Sequence, residues 1–334
     1  MEWNLIHACA QGRGHLRDGT PCQDATAACQ STDGRITALA LSDGAGSCPL
    51  SHHGAQAVTR AVTELLCTHF EEFYACPDAN AVRRTILTHL QNTLAQTAEQ
   101  HHCTPDALAC TLLFAASWED RFLIGHIGDG VIGCMENGTV RVLSRPMNGE
   151  FLNTTCFVTS PHALRHFRLF KAEKPSLGSL FLMSDGSEQA LYQRSSGTLS
   201  ASVQDLARLC VAFPPEQLQP QLQALLQNDI TTATTDDCSL ALMARPTPEF
   251  RGLSSFPPAD LCALLDLPAG RIGTPRRLRT TLSVLHALQD APCSRMQLAR
   301  RFRLHPRRMQ RILLRLQHSG CAVCTCGRWY SPLR

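Results

Sequence analysis

The chain has 334 residues, of which 44% are hydrophobic and 18% charged, and this length can hold a large domain and a smaller one. No apolar run reaches the roughly 20 residues of a membrane-spanning helix, and the N-terminus lacks a signal-peptide pattern, so neither a membrane protein nor a secreted protein is expected. The 17 cysteines are odd in number, which favours free thiols in a reducing cytoplasm.

Charge is distributed unevenly along the chain. The net charge is +3, but residues 271–334 contain 14 arginines, no lysine and a single acid, Asp290, which gives this segment about +13. The preceding 270 residues contain 17 basic and 27 acidic groups, or about −10. This asymmetry favours two modules with different partners.

The apolar pattern predicts strands and helices that do not alternate strictly. In chain order we expect strands at 3–10 and 36–42, helices at 51–69 and 80–101, strands at 109–117, 121–128, 131–135, 139–143 and 179–184, helices at 202–212 and 216–227, and a strand at 239–244. Residues 145–178 are predicted to be irregular. This order favours an α+β fold with antiparallel sheets and helices packed outside them.

Acidic residues recur at the ends of the predicted strands. Asp-Gly pairs follow three strands, a further acid follows a Gly-rich turn, and an acid pair precedes the closing strand. These residues are Asp43, Asp129, Asp185, Asp24, Asp236 and Asp237. A single Asp-Gly is usually a turn, but carboxylates gathered at one edge of packed sheets repel one another unless a cation neutralises them. Oxygen ligands alone favour Mg²⁺ or Mn²⁺.

Six short segments resemble, in order and spacing, the protein phosphatase 2C family of metal-dependent serine/threonine phosphatases. They are GTPCQDA (19–25), LSDGAGS (41–47), DALACTLLFA (106–115), IGDG (127–130), MSDGSE (183–188) and TDDCSLAL (235–242). The HxxxGxPCQDA opening and the segment 149–154 are shared with the short enterobacterial branch. For residues 1–245 the resemblance implies a four-layer α-β-β-α sandwich of two antiparallel sheets, in agreement with the predicted order of elements.

The resemblance also implies a site for two Mn²⁺ or Mg²⁺ ions at one end of the sandwich. Asp43 would bridge both ions, and the carbonyl group of Gly44 would bind one of them. Asp185 and Asp236 would hold the second ion. Asp236 is favoured over Asp237, because Asp237 falls where the family usually has Asn.

Three further residues are implied around the same ions. Asp24, and Gln23 through a water molecule, would lie on the side of the first ion. Asp129 matches the acid that binds a third, looser metal in bacterial relatives.

The implied reaction is in-line attack of a metal-activated water on phosphoserine or phosphothreonine, with no covalent enzyme intermediate. Two positions depart from the family. Ala45 stands where many relatives have a histidine proposed as general acid, so the proton must come from a metal-bound water or another side chain. Gly19 stands where relatives have the arginine that binds phosphate. His15 or Arg17 is the candidate for that role, the alternative being that Arg13 and Arg17 are solvated surface residues.

The basic tail, after a Pro-rich linker at 246–273, resembles a winged helix-turn-helix domain over residues 274–334. A helix is predicted at 276–290, Ser294 is expected to cap a second helix, and Pro306 suits the first turn of a third. The third helix would present residues that contact DNA phosphates and bases. They are Arg307, Arg308, Gln310, Arg311 and Arg315. Docking to a protein and a purely structural role are the alternatives.

The segment after the third helix offers a candidate zinc site. His318, Cys321, Cys324 and Cys326 have the spacing HxxCxxCxC, and such residues bind zinc when they converge. The alternative is that these cysteines are small apolar residues of a β wing.

The predicted function is that of a cytoplasmic bacterial phosphatase acting on a phosphorylated protein, the product of a Ser/Thr kinase, and targeted by its tail to DNA or to a protein partner. One alternative is a DNA-binding regulator whose phosphatase-like domain is a sensor or weakly active. The intact set of acids argues against an inactive site. A second alternative is action on a small phosphorylated metabolite.

Overall fold

The computed structural model describes residues 3–136, 139–147, 155–212, 215–245, 258–265, 267–268, 273–319, 321–325 and 327–331. The chain forms two compact units, the first comprising residues 1–211 with 218–245 and the second 212–217 with 246–334. The segment 149–154 lies outside the described residues. Within them, no helix is both long enough and apolar enough to cross a membrane.

The first unit is built on two five-stranded antiparallel sheets. Their strands are β1 (Asn4–Ala10), β2 (Ala25–Gln30), β3 (Ile36–Ser42), β4 (Leu112–Trp118), β5 (Arg121–Ile127), β6 (Val131–Glu136), β7 (Thr139–Ser144), β8 (Arg168–Glu173), β9 (Leu177–Met183) and, after the short hairpin of β10 (Tyr192–Gln193) and β11 (Thr198–Leu199), β12 (Cys238–Ala244). Sheet A has the order β1-β12-β9-β6-β7, and sheet B has the order β2-β3-β4-β5-β8. The predicted α+β class with two antiparallel sheets is confirmed.

Helices flank the two sheets or follow their strand ends. They are α1 (Arg13–Asp18), α2 (Ser51–Ala75), α3 (Ala79–Gln100), α4 (Ala163–His166), α5 (Asp185–Leu191), α6 (Ala201–Ala212) and α7 (Pro215–Asn228). Helices α2 and α3 pack on sheet B. Helix α7 contacts sheet A, because the amides of Gln219 and Gln223 donate hydrogen bonds to backbone carbonyls of β1, 2.6 Å and 2.9 Å long.

The buried strand β3 explains why its sequence is apolar throughout. Successive side chains of a strand point to opposite faces of the sheet. Ala38 and Ala40 pack against α2 and α3, whereas Leu39 and Leu41 fill the core between the two sheets. Both faces are therefore covered, and the strand holds its C-terminal end in a fixed position.

The segment predicted to be irregular contains regular structure. The prediction for residues 145–178 is wrong in its second half, where α4 and β8 lie. Strand β8 is an edge strand, paired among the described residues with β5 alone. Its sequence RLFKAE is half-exposed, so it lacks the apolar run used to recognise strands. Strand β2, also at an edge, was missed for the same reason.

Each sheet contains a glycine directly opposite a phenylalanine. Gly125 pairs with Phe114 in sheet B, and Gly133 pairs with Phe181 in sheet A. A Cβ atom added to Gly125 would lie 2.1 Å from the ring of Phe114, and one added to Gly133 would lie 2.2 Å from the ring of Phe181. Each ring thus occupies the space above its glycine, which allows close approach of the strands.

The second unit combines helices with a small sheet. Its elements are α8 (Pro258–Leu264), α9 (Thr274–Asp290), β13 (Cys293–Ser294), α10 (Arg295–Arg301), α11 (Pro306–His318), β14 (Val323–Thr325) and β15 (Arg328–Tyr330). The strands are antiparallel in the order β13-β15-β14. The predicted cap is confirmed, since Ser294 and Gln297 form a capping box. Pro306 begins α11 as expected.

Gly125→Val is expected to lower the free energy of unfolding by about 1–3 kcal/mol, because the new side chain and the Phe114 ring cannot occupy the same space. Phe114→Leu should relieve part of this overlap. Urea unfolding of the two single variants and the double variant measures the coupling. The double variant should lose less stability than the two single losses added together, and strict additivity would contradict the proposed overlap.

Candidate active site

The predicted acidic residues lie at one end of each sheet. Asp24 precedes β2 and Asp43 follows β3, and these antiparallel neighbours pair through Ala25 and Ser42. In sheet A, Asp185 follows β9, beside the start of β6 and β12. Asp129 lies on the connection from β5 in sheet B to β6 in sheet A. The connection therefore joins the acidic ends of the two sheets.

Three of these carboxylates converge within ligand distance of a single ion. Oxygen atoms of Asp43, Asp129 and Asp185 all lie within 4.8 Å of one another, and the three residues are half-buried. Asp129 is also held by Thr155, whose hydroxyl donates a 2.6 Å hydrogen bond to Oδ2. Repulsion between such groups favours binding of a cation.

The pKa values of the acids show how strongly they interact. Burial, followed by the charges of Asp24, Asp185 and Asp236, raises the pKa of Asp43 well above its ordinary value. The pKa of Asp185 is raised by burial and by the charges of Asp129 and Asp236. Burial is the largest cause that raises the pKa of Asp24, to about 7. All five carboxylates thus belong to one electrostatic group.

The backbone around Asp43 is fixed by two reciprocal hydrogen bonds to Thr111. The N–H of Asp43 donates to Oγ1 of Thr111 (2.9 Å), and the N–H of Thr111 donates to the carbonyl group of Asp43 (2.8 Å). The N–H of Gly44 donates to the carbonyl group of Gln23 (3.1 Å). These bonds join the loops that carry Asp24 and Asp43.

Several buried oxygen atoms at the site need a partner. Both carboxylate oxygens of Asp24, Oδ1 of Asp185 and Oε1 of Gln23 are buried and accept no hydrogen bond from the described part of the chain. Such oxygens are costly to bury unless a cation, a proton or water binds them. The donor set consists of hard oxygen atoms, so these residues fit Mg²⁺ or Mn²⁺.

The adjacent acids Asp236 and Asp237 occupy different environments. Asp237 is buried and accepts hydrogen bonds from the backbone N–H groups of Gly12 (2.7 Å) and Gln23 (2.5 Å). Asp236 is exposed, and its charge raises the pKa of Asp43 and of Asp185. Asp237 therefore holds the N-terminal loop, while Asp236 belongs to the acidic group.

The two predicted phosphate-binding residues on α1 also differ. Nδ1 of His15 lies 2.9 Å from Oδ2 of Asp237, which places the imidazole ring beside the acid pair. The guanidinium group of Arg17 forms two hydrogen bonds to the neighbouring Asp18, of 2.8 Å and 3.1 Å, and its side chain is 77% exposed. The described contacts bring His15 to Asp237 of the acid pair, whereas Arg17 contacts Asp18.

One cationic residue, Arg194, whose charge interacts with the acids of the site, was not predicted from the sequence. The guanidinium group of Arg194 pairs with Glu188, a buried residue on α5. Burial alone would lower the pKa of Arg194, but the bond to Glu188 and the charges of Asp129 and Asp185 raise it. Glu188 is three residues after Asp185, a helical spacing that could have drawn attention to it. Arg194 lies in a hairpin, which carries no such signal.

The predicted contact residues of α11 lie on its surface. Arg307, Arg308 and Arg311 are exposed, whereas Gln310 and Arg315 are half-buried.

The candidate zinc ligands are not grouped in the described residues. Cys321 is buried against Ser319, and His318 and Cys324 are exposed. These three do not form a metal-ligand cluster, and Cys326 lies outside the described residues.

Comparison with known proteins identifies the family. The sequence pattern of protein phosphatase 2C matches residues 11–227. This chain belongs to the protein phosphatase 2C family. Serine/threonine-protein phosphatase 3 of Escherichia coli (strain K12) is 27% identical over 176 residues, which are 51% of this chain and 68% of that protein. The enzyme class predicted from the sequence, a protein serine/threonine phosphatase, is confirmed.

Solved structures support the same fold. A bacterial serine phosphatase superposes with a TM-score of 0.53 and 14% identity, covering 73% of this chain and 98% of that one. A C. elegans sex-determining protein superposes with a TM-score of 0.54 and 14% identity, covering 74% and 66%. At this identity the likeness concerns the fold alone.

Asp237→Ala should destabilise the metal-free protein by about 2–5 kcal/mol, because it leaves two buried N–H groups without their acceptor. Asp236→Ala, an exposed change, should leave stability without metal nearly unaltered and reduce the stabilisation by Mn²⁺. Thermal unfolding in EDTA and in Mn²⁺ measures both effects. Equal losses in EDTA would contradict the division of roles between the two acids.

Proposed function

We propose that the first unit hydrolyses phosphoserine and phosphothreonine in proteins with two bound Mn²⁺ or Mg²⁺ ions. The convergence of Asp43, Asp129 and Asp185 within 4.8 Å is the observation that carries this proposal. Asp43 and the carbonyl group of Gly44 would hold the ions together with Asp185 and Asp236, as the family resemblance implies.

The remaining oxygen ligands would complete this arrangement. Asp24, and Gln23 through water, would serve the first ion, and their unpartnered buried oxygens support this role. Asp129, held by Thr155, would serve a third ion. Bound ions would lower the pKa of a coordinated water molecule, and their positive charge would stabilise the phosphoryl oxygens.

The chain's own contribution is to hold the carboxylates rigidly. Thr111 fixes the backbone of Asp43 on both sides. The adjacent Ala45 is buried and offers no proton to a leaving group. Protonation of the serine or threonine product therefore requires a metal-bound water or another side chain.

We further propose that Arg194 contacts the phosphoryl group of the substrate. Its Nε is bonded to Glu188, which leaves its terminal N–H groups, on a side chain that is 57% exposed, able to donate to phosphate oxygens. Burial lowers the pKa of Arg194, and its bond to Glu188 raises it. The charges of Asp129 and Asp185 raise it further, which supports a role for this cation at the acidic site. His15 remains a second candidate, because it stands beside the acid pair.

For the second unit we propose a winged helix-turn-helix domain over residues 274–334, joined by a linker at 246–273 to a catalytic domain at 1–245. The succession of α9, β13, α10, α11 and the β14–β15 hairpin supports this assignment. Its exposed arginines suit an anionic partner, either DNA or a protein. The enzyme would act in the cytoplasm on the products of a Ser/Thr kinase.

Asp43→Asn should lower Mn²⁺-dependent turnover of p-nitrophenyl phosphate and of a phosphothreonine peptide by ~1000-fold or more, about 4 kcal/mol in the barrier, because the central carboxylate loses its charge. Asp33→Asn is the matched control, since Asp33 is exposed and pairs with Arg35. Absence of metal-dependent turnover in the unsubstituted protein would contradict the enzyme proposal and favour a DNA-binding regulator with a sensory domain.

Arg194→Lys should raise the KM for the phosphothreonine peptide ~10-fold with little change in kcat, because lysine keeps the charge beside Glu188 but loses the planar guanidinium fork. Arg17→Lys is the control, because Arg17 pairs only with Asp18 among its described contacts. Steady-state kinetics of both variants decides the point. A larger KM change in Arg17→Lys than in Arg194→Lys would restore the role predicted for Arg17.

A further inference from the structure

The second unit contains a cavity between α9 and α11 that is lined mainly by arginines. Its volume is about 310 Å³. The lining residues are Arg277, Thr280, Thr281, Arg308, Arg311, Ile312 and Arg315. Four of these seven residues carry a positive charge, and none carries a negative charge. The cavity therefore concentrates cations in a concave space, where the field is focused.

The four guanidinium groups have no counter-charge in the described part of the chain. None of them forms an ion pair there, whereas Nη2 of Arg301, on α10, lies 3.8 Å from Oδ2 of Asp290. Asp290 is also the only acid between residues 271 and 334. Like charges around one small cavity repel one another, and an anion in the cavity would remove that repulsion.

Helical spacing explains why these arginines meet. Arg308, Arg311 and Arg315 follow one another by about one turn of α11, on the flank of the buried stripe that contains Met309 and Leu313. Arg277 lies on the facing side of α9.

The donors of the cavity are the guanidinium groups. The hydroxyl groups of Thr280 and Thr281 donate to carbonyl groups of their own helix, at 2.8 Å and 2.9 Å, and are thereby engaged. Ile312 is buried and gives the cavity an apolar surface. A ligand that fits must therefore combine a strong multiple acceptor with a short apolar portion.

We propose that this cavity binds the phosphoryl group of a phosphorylated serine or threonine in a protein. A phosphate dianion offers three acceptor oxygens, which the planar forks of several arginines can engage in pairs. The methylene or methyl groups of the phosphorylated side chain can contact Ile312. That the phosphoprotein is a substrate of the same enzyme rests on the proposed function of the first unit.

The geometry favours a phosphoprotein over duplex DNA. A DNA-reading helix inserts its outward face into the major groove, and the outward face of α11 carries Arg307 together with Leu314, an apolar residue that is 50% exposed. Arg308, Arg311 and Arg315 line the concave space toward α9 instead. A cavity of this size accepts a single phosphorylated side chain more readily than the convex backbone of a duplex.

Fluorescence anisotropy with the full-length protein in EDTA tests the proposal. The probe is a labelled phosphothreonine peptide flanked by Gly and Ser, compared with its unphosphorylated form. Without metal the acidic site of the first unit repels phosphate, so binding reports on the second unit. Arg277→Gln combined with Arg311→Gln should weaken binding ~10- to 100-fold, because two charge-assisted contacts are lost.

The matched control is Arg276→Gln combined with Arg300→Gln. Both residues are exposed and lie outside the cavity, so this variant loses the same charge from the same unit and should bind the phosphopeptide as the unsubstituted protein does. Thermal unfolding of both variants checks that they are folded.

Three results would overturn the proposal: equal loss of binding in the two double variants, equal binding of the unphosphorylated peptide, or tighter binding of a short labelled duplex DNA that depends on Arg277 and Arg311. The last result would assign the cavity to DNA phosphates. Turnover of p-nitrophenyl phosphate with Mn²⁺ tests the enzyme proposal separately, since binding in EDTA requires no turnover.

Discussion

Mutual repulsion of carboxylates at a common end of two sheets is the constraint on which the rest of the first unit depends. Burial and neighbouring charges raise the pKa of Asp24, Asp43 and Asp185, so ionising these groups opposes folding when no cation is bound. Strand β3, covered on both faces, and the bonds of Thr111 hold the acids in place against that repulsion. The same rigidity keeps the site organised for an ion that neutralises it.

The second unit contains a cluster of positive charges, whereas the first contains a cluster of negative charges. The arginines of the second unit surround a cavity without a compensating acid in the described residues. In the first unit the aspartates surround a site where the described bases are Arg194 and, beside the acid pair, His15. In both units, a cluster of like charges is retained at some cost in stability, which is characteristic of a site that binds a ligand of opposite charge. The two proposals together would explain the uneven charge of the sequence by two binding chemistries, one for cations and one for phosphate.

Much of this could be predicted from the sequence, because the relevant signals are local. The apolar run before Asp43 and the helical periodicity of α11 mark their elements directly, and Ser294 marks a helix start. The edge strands β2 and β8 escaped prediction because half-exposed strands lack an apolar run. The pairing of Glu188 with Arg194 and the meeting of Arg277 with α11 depend on tertiary packing, which no spacing in the sequence reveals.

The departure from the family at Gly19 has a backbone explanation. Gly19 ends α1 in the left-handed conformation, with a φ angle of 70°, which glycine adopts easily and arginine does not. The short helix that it ends carries His15 to Asp237, so the N-terminal loop serves to fix the acid pair. An arginine at position 19 would strain this turn. In the proposed function the cation that contacts phosphate comes from another element, and Arg194, in the hairpin that follows Asp185 and α5, is the candidate for it.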